Sequence, residues 1–324
     1  MMAQRLFPYA VSRVGAMENK MLTGQKLEEM ASQRSVSEAF SYLRDAGYEG
    51  ARADGNFEAV LQDERQKLYR EIADLAPGED AFLLFLYPYD YHNIKVLLKQ
   101  EFSGRDMGQL LEETGSIPTD ELAEMLKNRN FSKMPPVMAG AVAEAISVHN
   151  KTKDVRRFSN ILDRACYRQM AQAAKDSENP FVVRLCQIKA DTANLRTMLR
   201  LTAQGAEFHE FLACKFAGGS LSDGAFLAAF EGGGDVAKAF GETEYGEMVA
   251  LGITGGFTAF EKAADDFLIS FLKTARLHPL TIEPLVAYVC AKEMEMKNAR
   301  IILCALQNYQ DFAKIKERLR ESYV

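Results

Sequence analysis

Three sets of polar residues recur along the chain at matching spacing. Asp90, Asn93 and Lys95 sit in DYHNIKVLL, Asp191, Asn194 and Arg196 in DTANLRTML, and Glu295, Asn298 and Arg300 in EMKNARIIL. The shared pattern is acid-x-x-Asn-apolar-basic-x-apolar-Leu, with the asparagines 101 and 104 residues apart. Such a set offers a carboxylate acceptor, a carboxamide that both donates and accepts, and a cation. On a helix the acid and the asparagine, three apart, share a face. The base lies two beyond the asparagine and five beyond the acid, poor geometry for an ion pair within one helix. Each group therefore needs partners on another element, because a buried polar group left unpaired costs about 1–3 kcal/mol. The set either pins helix crossings inside or between modules, or lines a surface that receives a partner. Threefold repetition argues against a catalytic centre.

Other chemistry lacks local support. The phosphate-loop pattern GxxxxGK[ST] is missing, and Gly252–Phe257 reads GITGGF with no lysine. Phe230–Asp235 (FEGGGD) is glycine-rich, yet no base precedes Lys238, so it reads as an interhelical turn. His92, His149, His209 and His278 form neither HxxxH nor HExxH, and no metal is expected. His92 falls where the other copies carry Ala193 and Lys297, so it lies outside the common design. No GxSxG elbow is present. No catalytic residue and no cofactor are expected.

The elements that carry these residues read as helices. Leu68, Ile72 and Leu75 form a stripe in 65–76, and Ile161, Leu162, Ala165 and Met170 another in 160–174. Phe260, Ala264, Phe267 and Phe271 share a face in 257–275. Residues 284–307 predict a helix of about 35 Å at 1.5 Å per residue. Tyr87–Tyr91 (YPYDY) begins or bends the first long helix. Alternating β-branched runs between Asn-Gly or Asp-Gly turns are not found. Gly218-Gly219, Gly232–Gly234 and Gly255-Gly256 read as helix stops and turns. Lys314–Arg320 (KIKERLR) reads as a solvated last turn that suits the negative end of a helix. The fold class is all-α.

Composition agrees. The 324 residues are 48% hydrophobic and 26% charged, with formal net charge −6. Without a Lys/Arg block this balance argues against nucleic acid as a partner. No apolar run reaches the 18 or so residues of a membrane span. Arg5 and Arg13 bracket only seven uncharged residues, too few for a signal-peptide core. The five cysteines include no CxxC pair and read as reduced thiols of a cytoplasmic protein.

A second pattern follows the first two sets. Ser116-Ile117-Pro118-Thr119-Asp120 and Ser220-Leu221-Ser222-Asp223 each precede an amphipathic run, 104 residues apart, and read as helix starts capped by a hydroxyl. The third copy is assigned to Ser35-Val36-Ser37-Glu38, near the opposite end of the chain. This displacement implies that residues 1–50 complete the module that 243–324 begin, with 51–140 and 141–242 forming the other two. Three similar helical modules joined in this way make a pseudo-threefold ring or funnel.

The chain resembles the C subunit of the V/A-type rotary ATPases, or V-type ATP synthases, whose eukaryotic counterpart is the V-ATPase d subunit. The resemblance rests on Tyr9–Leu22 (YAVSRVGAMENKML), Asp90–Leu98 with its echoes at Asn194-Leu195-Arg196 and Asn298-Ala299-Arg300, and the ending Glu317–Val324 (ERLRESYV). It implies an all-helical, non-catalytic rotor part on the cytoplasmic face, peripheral to the membrane. Its partners would be the D and F subunits of the stalk and the membrane proteolipid ring, and it would pass torque between ATP turnover and proton or sodium movement. The second and third sets lack the aromatic residues around Asp90, so the three modules are only approximately equivalent. A stand-alone helical scaffold, or an enzyme with an acidic site, are the competing readings.

Overall fold

Helix signals are realised throughout. The computed structural model describes residues 7–50, 56–231 and 236–324. Arg5 and the Gly232–Gly234 run with Asp235 lie outside the described residues. The helices are α1 (Pro8–Glu18), α2 (Gly24–Ala31), α3 (Val36–Asp45), α4 (Phe57–Leu75), α5 (Leu83–Ser103), α6 (Thr119–Asn128), α7 (Pro136–Thr152), α8 (Val155–Asp176), α9 (Pro180–Ala203), α10 (Phe208–Cys214), α11 (Asp223–Glu231), α12 (Val236–Phe240), α13 (Gly246–Lys273), α14 (Glu283–Gln307) and α15 (Phe312–Arg318). No strand occurs among the described residues. The all-α class is thus met.

Caps explain several starts. Asn56 Oδ1 accepts from Glu58 N at 3.0 Å to open α4, and Asp154 Oδ1 accepts from Arg156 N at 2.8 Å to open α8. Asn179 accepts from Phe181 N and Val182 N, with Pro180 at the first helical position of α9. Side-chain oxygens here satisfy N–H groups that have no intrahelical acceptor. The predicted stripes lie inside α4, α8 and α13. Pro88 falls inside α5, which begins at Leu83.

One glycine pair breaks α13 into two legs. Gly255-Gly256 interrupts the helix as expected, with Gly256 out of helical geometry at φ 76° and ψ −172°. That φ lies in the region where only glycine is at ease. Helical structure resumes at once because Phe260, Ile269 and Leu272 bury the following turns.

The chain divides into two units, residues 1–78 with 243–324, and 79–242. In the first, α14 is buried along most of its length and lies against α1, α2, α3, α4, α13 and α15. Leu285, Val286, Val289, Ile302 and Leu303 are fully enclosed there, at about 1.5–3 kcal/mol per side chain. In the second, α8 packs against α5, α7 and α9. Tyr91 of α5 is buried and donates to Gln169 Oε1 of α8 at 2.8 Å.

Candidate functional site: three backbone clamps

Each repeated asparagine grips one residue of a downstream segment by both backbone groups. Asn93 Nδ2 donates to Glu112 O at 2.7 Å while Glu112 N donates to Asn93 Oδ1 at 2.9 Å. Asn194 treats Phe216 in the same way, at 3.0 and 2.8 Å. Asn298 does so with Arg320, at 3.2 and 2.9 Å. A carboxamide carries one acceptor and two donors, so it can imitate a neighbouring peptide unit. Aspartate lacks the donor and serine lacks the reach. All three asparagines are buried, so these bonds take the place of bonds to solvent.

The acid one turn earlier holds the residues that follow. Asp90 accepts from Ser116 Oγ at 2.5 Å and Ile117 N at 3.1 Å. Asp191 accepts from Ser220 N and Oγ and from Leu221 N, at 2.6–3.1 Å. Glu295 accepts from Leu22 N at 2.5 Å and Tyr48 Oη at 2.8 Å. The third acid therefore takes its partner from the first turns of the chain. Leu22, not Ser35, meets it, which corrects the assignment of the third copy. Ser35 instead caps α3 by accepting from Glu38 N. Ser116 and Ser220 likewise donate to the repeated acids rather than capping a helix. Caps in the second and third copies come from Ser222 and Thr23.

Two glycines that the repeat pattern leaves out belong to the design. A Cβ at Gly115 would meet Asp90 Oδ1 at 2.5 Å, and one at Gly219 would collide with Asp191 Oδ1. The close approach of backbone to carboxylate requires their bare Cα. The signal is present in the sequence as Gly-Ser-Ile at 115–117 and Gly-Ser-Leu at 219–221.

The bases point away from their own clamps. Lys95 Nζ meets Asp163 of α8 at 2.6 Å, and Arg300 meets Glu58 of α4 at 2.6 Å. Arg196 is exposed, and its charge opposes the burial that pushes Tyr167 of α8 up to about 12. The two partly exposed pairs contribute about 0.2–1 kcal/mol each. Asp265 of α13 accepts from Arg320 Nε at 2.8 Å, and Arg320 is buried. The basic C-terminal run is therefore not a solvated last turn throughout.

Electrostatics distinguish the copies. Burial pushes Asp90 up to about 6, against the pull of Ser116 and Ile117. Around Glu295, Lys292 Nζ bridges Glu295 Oε1 at 2.7 Å and Glu64 Oε1 at 3.1 Å, all three side chains being buried. Burial holds Glu64 above the usual carboxylate value despite Lys292. Lys292 also lies 4.2 Å from the centre of the Tyr48 ring. Burial raises Cys166 to about 12 and Cys186 to about 11, which keeps both as unreactive thiols. No group of three or more His, Cys, Asp or Glu side chains suited to a metal occurs among the described residues.

This geometry is one of internal fastening, and comparison with known proteins gives it a setting. A family model described as ATP synthase (C/AC39) subunit matches residues 10–318. The chain belongs to that family. It is 23% identical to the C subunit of the V-type sodium ATPase of Enterococcus hirae, over 94% of this chain and 95% of that protein. It is 26% identical to the C subunit of the A-type ATP synthase of Thermococcus kodakarensis, over 97% of this chain and 90% of that protein. The match to the C/AC39 family takes in all three clamping asparagines and stops just short of Arg320. No helix among the described residues is long and apolar enough to cross a membrane.

Proposed function

We propose that this C/AC39 family member is a non-catalytic part of the rotor of a V/A-type ATPase. It couples the D and F subunits of the stalk to the membrane proteolipid ring, so that torque passes between ATP turnover and proton or sodium movement. It works on the cytoplasmic side, peripheral to the membrane. The observation that carries the reading is the family match over residues 10–318.

The clamps support a mechanical role. A coupling part must transmit strain without yielding, and close-packed helices do so. The repeated polar side chains spend their hydrogen-bonding capacity on backbone of the same chain, which ties each long helix to the segment beyond it. In this reading three modules of 51–140, 141–242 and 243–324 with 1–50 close as a pseudo-threefold funnel, and Glu295–Leu22 is the joint that closes it. The nine residues of the three sets act as fasteners rather than as contacts for the stalk.

Affinity purification of the tagged chain from its own cells tests the reading. The D and F subunits and the ring proteolipid are expected to come with it. A chain that purifies alone while the remaining subunits assemble normally would refute it.

A further inference from the structure

The third clamp is assembled from two separate pieces of chain. In the first copy one loop supplies both grips, Glu112 to the asparagine and Ile117, five residues on, to the acid. The second copy repeats this with Phe216 and Leu221, again five apart. In the third, Asn298 grips Arg320 while Glu295 takes Leu22. The register survives the change of segment, since α6, α11 and α2 begin two residues beyond Ile117, Leu221 and Leu22. Residues 319–324 and 21–23 together thus do what one covalent loop does in each other copy. The bond between them is non-covalent. Ser322 Oγ donates to Leu22 O at 2.7 Å, across 300 residues of sequence.

The later piece is held entirely from outside. Residues 319–324 belong to no helix or strand, so side chains of other elements satisfy their backbone. Lys262 of α13 donates to Leu319 O at 2.6 Å, and Asp266 accepts from Glu321 N at 2.6 Å. Arg276, just beyond α13, donates to Tyr323 O at 3.4 Å. Its guanidinium carbon lies 4.8 Å from the centre of the Tyr323 ring, and it meets Glu18 of α1 at 3.9 Å. The side chains of Lys262, Asp266 and Arg276 are 34%, 24% and 52% exposed, so water competes for these ties. Ordering the five residues from Leu319 to Tyr323 costs backbone entropy that no local helical bonding offsets. The buried α14 below them, by contrast, carries its own ladder of hydrogen bonds. Segments open separately where stability is uneven in this way.

We infer that residues 319–324 form a releasable strap that locks residues 21–31 onto α14. Leu22 is gripped at its N–H by Glu295 and at its carbonyl by the strap, and Lys316, ahead of the strap, meets Glu28 of α2 at 3.0 Å. Strap and locked segment open as one unit while α14 and the helices of 79–242 stay folded. Met21, Leu22, Leu27 and Met30 are buried, so opening exposes apolar surface at one defined seam. The inference concerns the chain itself and stands apart from the rotor reading.

Hydrogen exchange of the full chain, read by mass spectrometry on peptides, tests it. Arg320→Ala with Tyr323→Ala removes two side-chain anchors and alters the strap alone. Exchange should quicken about tenfold or more both in 319–324 and in 21–31, while α8 stays within about twofold of the wild type. A change of less than about twofold in 21–31 overturns the inference whatever the strap does, and so does an equal rise in α8. Should the variant fail to fold, the wild type is measured in urea below its unfolding transition. Protection of 319–324 and of 21–31 should then agree within about threefold and lie about a hundredfold or more below that of α14. Protection that differs between the two segments by more than this, or that equals that of α14, overturns the inference.

Discussion

Asn194 shows what a single residue contributes here. Its carboxamide satisfies both backbone groups of Phe216, so Asn194→Ala leaves an N–H and a C=O unpaired as well as a small void. The expected loss is about 2–4 kcal/mol, from about 1–3 for each orphaned buried group, read from denaturant midpoints at constant m-value. A loss under about 0.5 kcal/mol, the size of an ordinary surface change, would mean that water fills the site. Asp90 makes a prediction with a sign. Its folded value of about 6 lies above the ordinary 3.8, so the folded chain holds a proton there that the unfolded chain has released between those limits. Its contribution is therefore largest below about pH 4 and is lost as pH rises through about 6, by up to about 3 kcal/mol. Asp90→Asn, which keeps an acceptor for Ile117 N, should gain on the wild type as pH rises from about 5 to about 8; parallel stability curves would contradict this. The repeated residue types were legible in the sequence because side-chain identities recur. Their partners were not, since backbone atoms of Glu112, Phe216 and Arg320 have no residue-type signature. The glycines at 115 and 219 carried the only local sign of the close approach.

At the scale of elements, α14 concentrates what is distinctive. Two carboxylates, Glu64 and Glu295, share the one ammonium of Lys292 inside the packing around this helix. Removing that cation leaves both acids without it, whereas removing an acid with it restores balance. Lys292→Met should cost about 3–5 kcal/mol at neutral pH, and less in acid, where Glu64, held above the usual carboxylate value by burial, takes up a proton. Adding Glu64→Gln should recover part of the loss, and a double-mutant cycle measures the coupling. Equal losses in acid and at neutral pH would argue against the electrostatic account. Helix positions were readable from periodicity, and residues 284–307 became α14 with almost the same bounds. The break in α13 at Gly255-Gly256 was readable too, but its sharpness was not, because nothing local shows that helix resumes at once until Phe260 and Ile269 are seen to be buried beyond it. Leu22 as the third acid's partner was hidden for a related reason. Glu295 and Leu22 are 273 residues apart, and nothing local marks such a pairing.

Taken as a whole, the molecule invests its repeated polar residues in holding itself together. Residues 1–78 and 243–324 share one unit, so the two ends of the chain fold as neighbours. That economy suits the load-carrying role proposed above, which has a direct test. ATP hydrolysis and ion translocation should be measured together in vesicles bearing the reconstituted ATPase, with and without this chain. Hydrolysis is expected to continue in its absence while translocation falls to background, and adding the chain back should restore pumping. Undiminished ion transport per ATP without the chain, or nucleotide turnover by the isolated chain, would contradict the account.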